Sequence, residues 1–246
     1  MLTYDETNWK YEEGLEIKNY KVIFKEVKAA KTVEEQKLRA ERLSLVKFFE
    51  SDEQNILLEI CSRFQKNDED FYYTKNKRFH STVLGFPVID SSNYKLVKEK
   101  IKEFCEKRCT MNLKLDMIRL GTMYERNSSL NPVFGVSNGT IIGYGDTLPN
   151  KNIVTLGNEL CSFLLKDKIL CSILGKNFRR KFPTVWCTMG HYTKDFKITT
   201  ELERLFNQYK TLNRKYFSMS CDELELVRSC YKDLRDWKPI QKFTLK

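Results

Sequence analysis

The stretches Phe79-His80-Ser81-Thr82-Val83-Leu84 and Gly190-His191-Tyr192-Thr193 carry the same short pattern, His-x-Thr. They contain both histidines of the 246-residue chain. In a β-strand, side chains two positions apart point to the same face. If both segments are strands, each pattern therefore places an imidazole beside a threonine hydroxyl.

Both segments have the composition of strands. Residues 78–87 are rich in aromatic and aliphatic side chains and end at a proline. Residues 184–189 follow another proline and lead into the second motif with the same kind of composition. Aromatic and β-branched residues bounded by such breakers are typical of strands. If the two strands adjoin in one sheet, two imidazoles and two hydroxyls converge on one cleft.

A cleft of this kind suits a phosphodiester. Imidazole titrates near neutral pH, so one of His80 and His191 can accept a proton while the other supplies one. The hydroxyls of Thr82 and Thr193 can donate hydrogen bonds to the non-bridging phosphate oxygens. This chemistry requires no metal and no other cofactor. The alternative is that each motif holds an ordinary half-buried strand histidine, in which case the two imidazoles lie far apart.

The motifs and their surroundings resemble the 2H phosphoesterase superfamily. A helix is predicted after the first motif, strands and then a helix between the motifs, and closing strands over residues 224–229 and 239–245. The resemblance covers roughly residues 67–246. It implies an α+β fold with two pseudo-symmetric lobes, in which central antiparallel sheets are flanked by helices. The catalytic residues that it implies are His80, Thr82, His191 and Thr193.

The activity that the resemblance implies is metal-independent hydrolysis of 2′,3′-cyclic phosphate ends, on RNA or small nucleotides, to 2′-phosphates. Two features keep other substrates open, namely the polar Lys194-Asp195 after the second motif and the interval of 111 residues between the histidines. The alternatives are 2′-5′-linked oligonucleotides and other cyclic nucleotides. A non-catalytic basic RNA-binding module is the alternative from a different functional class.

The net charge of +10 is unevenly distributed. Residues 1–66 carry a net charge of −1, whereas residues 67–246 carry +11. The basic excess therefore lies in the part that holds the motifs, which favours RNA or a nucleotide as the partner. A lysine-rich surface that only keeps the protein soluble is the alternative.

Three arginines are candidate substrate-binding residues. Arg78 lies two positions before His80 and so shares its strand face. Arg179 and Arg180 belong to a basic, aromatic run just before the second motif strand. Such a run can contact phosphates or stack on a base. A solvated loop is the alternative for this run.

The N-terminal region is predicted to be a mostly helical extension over residues 1–66, followed by the phosphoesterase-like domain over residues 67–246. Thr32-x-x-Glu35 is typical of a capping box that starts a helix through Phe49, and Ser51-x-x-Gln54 of one that starts a helix to about residue 64. A dimer interface or a lid is one role for this hairpin, and simple packing on the main domain is the other.

Other elements follow from periodicity and turn signals. We predict helices over residues 91–109, 153–172 and 199–213, and strands over residues 71–73, 112–124, 134–144 and, as a pair, from Glu223 onward. The eight cysteines are scattered, which favours reduced thiols over a zinc site. Neither a secretory signal nor a membrane-length apolar run is visible, so we expect a cytoplasmic protein.

Overall fold

A computed structural model describes the chain over residues 26–27, 37–73, 78–107, 114–117, 119–123, 138–144, 151–180, 186–194, 196–197, 200–201, 204–205, 217–231 and 234–245. The helices discussed below are α1 (Ser51–Asn67), α2 (Tyr94–Lys107), α3 (Lys151–Leu165) and α4 (Lys168–Leu174), and a 3₁₀ turn at Ser91–Asn93 precedes α2. The strands are β1 (Glu26–Val27), β2 (Lys37–Phe48), β3 (Phe71–Tyr72), β4 (His80–Gly85), β5 (Lys114–Met117), β6 (Arg119–Met123), β7 (Asn138–Tyr144), β8 (Trp186–Tyr192), β9 (Phe196–Lys197), β10 (Phe217–Ser220), β11 (Glu223–Tyr231) and β12 (Lys238–Thr244).

Two four-stranded antiparallel sheets organise the described part of the chain. The first sheet has the order β12-β11-β2-β4 and the second has the order β3-β8-β7-β6. Each sheet contains one His-x-Thr strand, β4 in the first and β8 in the second. Several Cα atoms of β4 and β8 lie within 8 Å of each other, so the two motif strands are neighbours across the junction of the sheets. The predicted α+β fold, with antiparallel sheets flanked by helices, is confirmed.

Most predicted elements are confirmed. The helix predicted from Ser51 is α1, which buries Leu57, Ile60 and Phe64 at helical spacing. The helix predicted over residues 153–172 is instead two helices. Asp167 starts the second of them, because its side chain accepts hydrogen bonds from the backbone N–H groups of the next turn at 3.0 and 3.1 Å.

The helix predicted from Thr32 through Phe49 is wrong. Residues 37–48 form β2, which lies between β11 and β4 in the first sheet. Residues 43–49 are all buried, because both faces of this central strand are covered. Such a strand lacks the polar and apolar alternation of a half-exposed one, and its apolar run cannot be told from a buried helix by periodicity alone.

The predicted N-terminal extension therefore contributes to the common core. Apolar side chains of β2 and α1 belong to the same buried cluster as those of β4, α2, α3, β8 and β11. The remainder of residues 1–36, apart from β1, lies outside the described residues, as does most of the helix predicted over residues 199–213. Within the described residues, no helix has both the length and the apolarity that crossing a membrane requires.

Candidate active site

His80 opens strand β4 and lies opposite Phe48 of β2. The two rings meet edge to face, with their centroids 5.8 Å apart. His80 is buried, and its Nδ1 lies 3.4 Å from the backbone oxygen of Arg78. Thr82 pairs with Val46 and is half-buried. The pairing of β2 with β4 is regular from Val46 to Phe48, so His80 and Thr82, two positions apart, lie on one face of the sheet, as the motif predicted.

Arg78 lies beside this first motif. Its guanidinium carbon is 4.1 Å from the centre of the Phe48 ring and 5.6 Å from that of Trp237. One of its nitrogens is 3.8 Å from a carboxylate oxygen of Glu225, which is buried on β11. Cation–π contacts and a buried carboxylate together hold the guanidinium next to the partner ring of His80.

The second motif repeats this arrangement on the second sheet. His191 on β8 lies opposite Tyr72 on β3 and is buried. Tyr72 is 40% exposed, so its ring reaches solvent, whereas Phe48, the residue opposite His80, is buried. The two halves thus share one plan, a strand histidine with an aromatic residue directly opposite it.

Gly190 allows β3 to approach β8 closely. A Cβ atom at this position would lie 2.3 Å from Cζ of Phe71 and 2.8 Å from the backbone oxygen of Tyr72. The Phe71 ring packs against Tyr192 with centroids 5.1 Å apart. The pairing of Tyr72 with His191 therefore depends on the missing side chain of the preceding residue.

Thr193 lies just beyond the end of β8 and is exposed. Its backbone N–H and its hydroxyl both donate to the backbone oxygen of Asp70, at 3.0 and 3.2 Å. Lys194 forms an ion pair of 2.9 Å with the Asp70 side chain, and this hydrogen bond raises the pKa of the lysine. The hydrogen bond from the Thr193 hydroxyl to the Asp70 backbone oxygen must break before this hydroxyl can donate to a phosphate. The predicted role of Thr193 in phosphate binding therefore stays a prediction.

Residues 234–237, in the connection between β11 and β12, pack on the same face as the first motif, and we call them the hairpin turn. Leu234 is buried against Val46, Phe48 and Val227 and has a φ of 57°. That conformation is uncommon for a leucine and costs of order 1 kcal/mol. The Asp236 carboxylate holds the turn in place, since it accepts hydrogen bonds from the hydroxyl of Ser229 and, at 3.1 Å, from the N–H of Cys230.

The hairpin turn touches both halves of the molecule. Trp237 packs on Phe48 of the first sheet, with ring centroids 4.7 Å apart. The guanidinium carbon of Arg235 is 5.1 Å from the Tyr231 ring of the first sheet and 5.9 Å from the Tyr72 ring of the second. The sequence did not point to these aromatic residues or to Arg235, because their proximity to the histidines depends on strand register and on the path of the turn.

Arg179 and Arg180 differ sharply in their surroundings. Arg179 is exposed. Arg180 lies between α3 and β4, where its Nε donates to the backbone oxygen of Val83 at 3.1 Å and its stem passes over Gly157. Burial lowers the pKa of the Arg180 guanidinium to about 10. Arg180 therefore ties α3 to the motif strand, a contact that the sequence did not predict, and substrate binding by either arginine stays a prediction.

Among the described residues, no group of three or more histidine, cysteine, aspartate or glutamate side chains is arranged to hold a metal ion. The chemical groups near the two motifs are imidazoles, guanidinium groups, hydroxyls and aromatic rings, together with the carboxylates of Glu225 and Asp70, which pair with Arg78 and Lys194. Together they can exchange protons and bind an anion that carries an aromatic base.

Comparison with known proteins places the fold. No family model and no curated protein matches the sequence. Among solved structures, the protein TT0787 of Thermus thermophilus matches with a TM-score of 0.52 at 10% identity, over 83% of this chain and 97% of that one. Escherichia coli LigT in its apo form matches with a TM-score of 0.51 at 13% identity, over 84% and 98%. A structure described as a phosphoesterase matches with a TM-score of 0.51 at 13% identity, over 84% and 99%. The chain therefore has the fold of the 2H phosphoesterases, as the two motifs predicted.

Proposed function

We propose that this chain is a metal-independent phosphodiesterase that opens 2′,3′-cyclic phosphate ends of RNA or small nucleotides to 2′-phosphates. The observation that carries the proposal is the placement of the chain's two histidines on neighbouring strands, one in each sheet, within a fold shared with a phosphoesterase. Two imidazoles on neighbouring strands can serve as a paired general acid and general base.

The reaction needs one proton acceptor and one proton donor. One histidine removes a proton from a water molecule as the water oxygen forms a bond to phosphorus. The bond between phosphorus and the ribose 3′ oxygen breaks, and the other histidine, in its imidazolium form, protonates that oxygen. The product is a 2′-phosphate with a free 3′-hydroxyl. Either His80 or His191 can fill either role.

The transition state also needs groups that hold the phosphate oxygens. Thr82 shares the strand face of His80, and its hydroxyl is the proposed donor to a non-bridging oxygen. Arg78, held by Phe48 and Glu225, supplies positive charge beside the first motif. Thr193 is proposed as the second hydroxyl donor, once it exchanges Asp70 for the phosphate.

The test is hydrolysis of the four nucleoside 2′,3′-cyclic monophosphates in the presence of EDTA, with the products separated by chromatography. We expect turnover by the wild type and its near-complete loss in His80→Ala and in His191→Ala, without loss of cooperative unfolding. Removing a general acid or base typically costs 10²- to 10⁴-fold, so a decrease of about 100-fold or more is expected. An undiminished rate in either variant would refute the proposal.

The same assay separates the alternatives. A panel of 2′-5′-linked and 3′-5′-linked dinucleotides identifies a different phosphodiester as the substrate. A binding module without catalysis would bind RNA in a salt-sensitive way, and that binding would survive both histidine substitutions. Dependence of turnover on an added divalent metal would contradict the metal-independent mechanism.

A further inference from the structure

The two halves of the molecule repeat an arrangement of three groups. In the first, His80 lies opposite Phe48, and the guanidinium of Arg78 packs on that ring. In the second, His191 lies opposite Tyr72, and the guanidinium carbon of Arg235 is 5.9 Å from the centre of that ring and 5.1 Å from that of Tyr231. Only the first of the two arginines is near a motif in the sequence. The second arginine, Arg235, is far from both motifs in the sequence, and the hairpin turn places it near Tyr72.

The hairpin turn is built to hold its side chains in place. Leu234 adopts a left-handed conformation and is nonetheless buried, and the Asp236 carboxylate binds the turn back onto β11. A strained conformation persists only where the surrounding contacts determine it, and such positions concentrate at functional sites. Arg235 and Trp237 are the neighbours of Asp236 in the chain, so their side chains extend from backbone that is held on β11.

Each half also presents an aromatic surface near its histidine. Trp237 is half-buried against Phe48 in the first half, and Tyr72 is 40% exposed in the second. When an arginine stacks on an aromatic face, its N–H donors lie in the guanidinium plane and point away from the ring. Aromatic rings for bases and guanidinium groups for phosphates are the elements with which proteins bind single-stranded nucleic acid.

We propose that Arg235 binds a phosphate adjoining the one that is cleaved, and that the substrate is an oligonucleotide end rather than a mononucleotide. This inference rests on the proposed function. A mononucleotide has one base and one phosphate and can use one aromatic surface and one guanidinium. An oligonucleotide that passes the two histidines can use both surfaces, with one phosphate at the motifs and the next at Arg235.

The kinetic test compares two substrates that share the reacting group. They are adenosine 2′,3′-cyclic phosphate and a tetra-adenylate that ends in the same cyclic phosphate. We expect the wild type to prefer the tetranucleotide in kcat/KM, and Arg235→Gln to lower that preference about tenfold, the loss expected for one hydrogen-bonded charge. Arg235→Lys keeps the charge without the planar fork and should lie between the two.

Arg63→Gln is the matched control, because Arg63 is a partly exposed arginine of α1 whose ion pair with Glu59 joins two residues of the same helix. It removes one positive charge from the surface and should leave the preference for the longer substrate unchanged. If Arg235→Gln does not unfold cooperatively, Tyr72→Leu removes the ring instead and should lower the same preference.

Binding provides a readout that does not depend on turnover. A labelled tetra-adenylate with a 3′-phosphate is titrated by fluorescence anisotropy in EDTA at several salt concentrations. Loss of one phosphate contact lowers the slope of log Kd against log salt by about 0.7 for a single strand. We expect this decrease in Arg235→Gln but not in Arg63→Gln.

The outcomes separate the two proposals. An unchanged preference and an unchanged salt slope in Arg235→Gln overturn the inference, even if the wild type hydrolyses both substrates. Equal losses on the two substrates also overturn it, because the residue would then act at the reacting phosphate or on the fold. If the wild type turns over neither substrate, the proposed reaction fails, and the salt slope alone supports or refutes the phosphate contact.

Discussion

Gly190→Ala tests the close approach of β3 to β8, because position 190 has no room for a side chain. The new Cβ would lie 2.3 Å from Cζ of Phe71, 2.8 Å from Cε2 of the same ring, and 2.8 Å from the backbone oxygen of Tyr72. The ring can turn away only by disturbing its packing with Tyr192 and Phe64. The backbone oxygen cannot turn away at all without a shift of β3, so the methyl group forces the two strands apart.

Overpacking of this kind typically costs 1–3 kcal/mol, and contact with a backbone atom points to the upper part, about 2–3 kcal/mol. For a chain of this size each kcal/mol lowers the melting temperature by about 2–4 °C, so a decrease of roughly 5–10 °C is expected. Because β3 carries Tyr72, which lies opposite His191, we also expect turnover to fall at least about tenfold in the protein that remains folded.

The assay is urea unfolding followed by fluorescence, together with turnover of the preferred substrate. Gly85→Ala is the matched control, since Gly85 ends motif strand β4 and a Cβ there would meet only Nη2 of Arg42, at an ordinary 3.6 Å. Alanine has less backbone freedom than glycine in the unfolded chain, so Gly85→Ala should leave the free energy of unfolding unchanged or raise it by about 0.4–1 kcal/mol. A Gly190→Ala protein within about 0.5 kcal/mol of the wild type, the spread of ordinary surface substitutions, would refute the steric argument.

Three further predictions concern other parts of the molecule. Burial raises the pKa of the thiols of Cys105 and Cys161 to about 11 and that of Cys221 to about 12. Because the same thiols ionise near pH 8.5 when unfolded, the free energy of unfolding should fall as the pH rises from about 9 towards 11, which urea titrations at stepped pH will measure; a flat profile would contradict this. Arg180→Ala should destabilise the fold by about 2–3 kcal/mol, because it removes the hydrogen bond to the backbone oxygen of Val83 and the packing of the arginine stem. Arg179→Ala is the control and should change the unfolding midpoint little, because Arg179 is exposed. Equal effects of the two substitutions would contradict a stabilising role for Arg180. Turnover should depend on pH as a bell, with one imidazole neutral and the other protonated, and a rate that rises steadily to about pH 9 would contradict paired acid and base catalysis by two imidazoles.

Local sequence patterns predicted the motif strands and the amphipathic helices α1 and α2. They did so because the side chains that decide these elements lie within a few residues of one another. His80 and Thr82 share a face by the geometry of any strand, and Leu57, Ile60 and Phe64 share a face by the geometry of any helix. The resemblance to the 2H phosphoesterases depended on the same short-range pattern and is confirmed at the level of the fold.

The strand β2 could not be recognised in this way. Over residues 43–48 the strand is covered on one face by the core and on the other by the hairpin turn, so no exposed polar face marks the two-residue period there. The apparent capping box at Thr32 and the apolar spacing that follows favoured a helix locally. The pairing of β2 with β11 and β4 outweighs that preference, because a central strand satisfies its backbone hydrogen bonds on both sides while it buries both faces.

Local pattern was enough to establish that two imidazoles, each with a hydroxyl two positions away, stand on strands of a basic α+β protein. What surrounds those imidazoles was set by the packing of the whole chain. Phe48, Tyr72 and Arg235 are far apart in the chain, and they approach the histidines through strand register and a strained turn. The physical reason is that side-chain alternation is a local property of the backbone, whereas the choice of a neighbouring strand depends on the free energy of burying surfaces from distant segments.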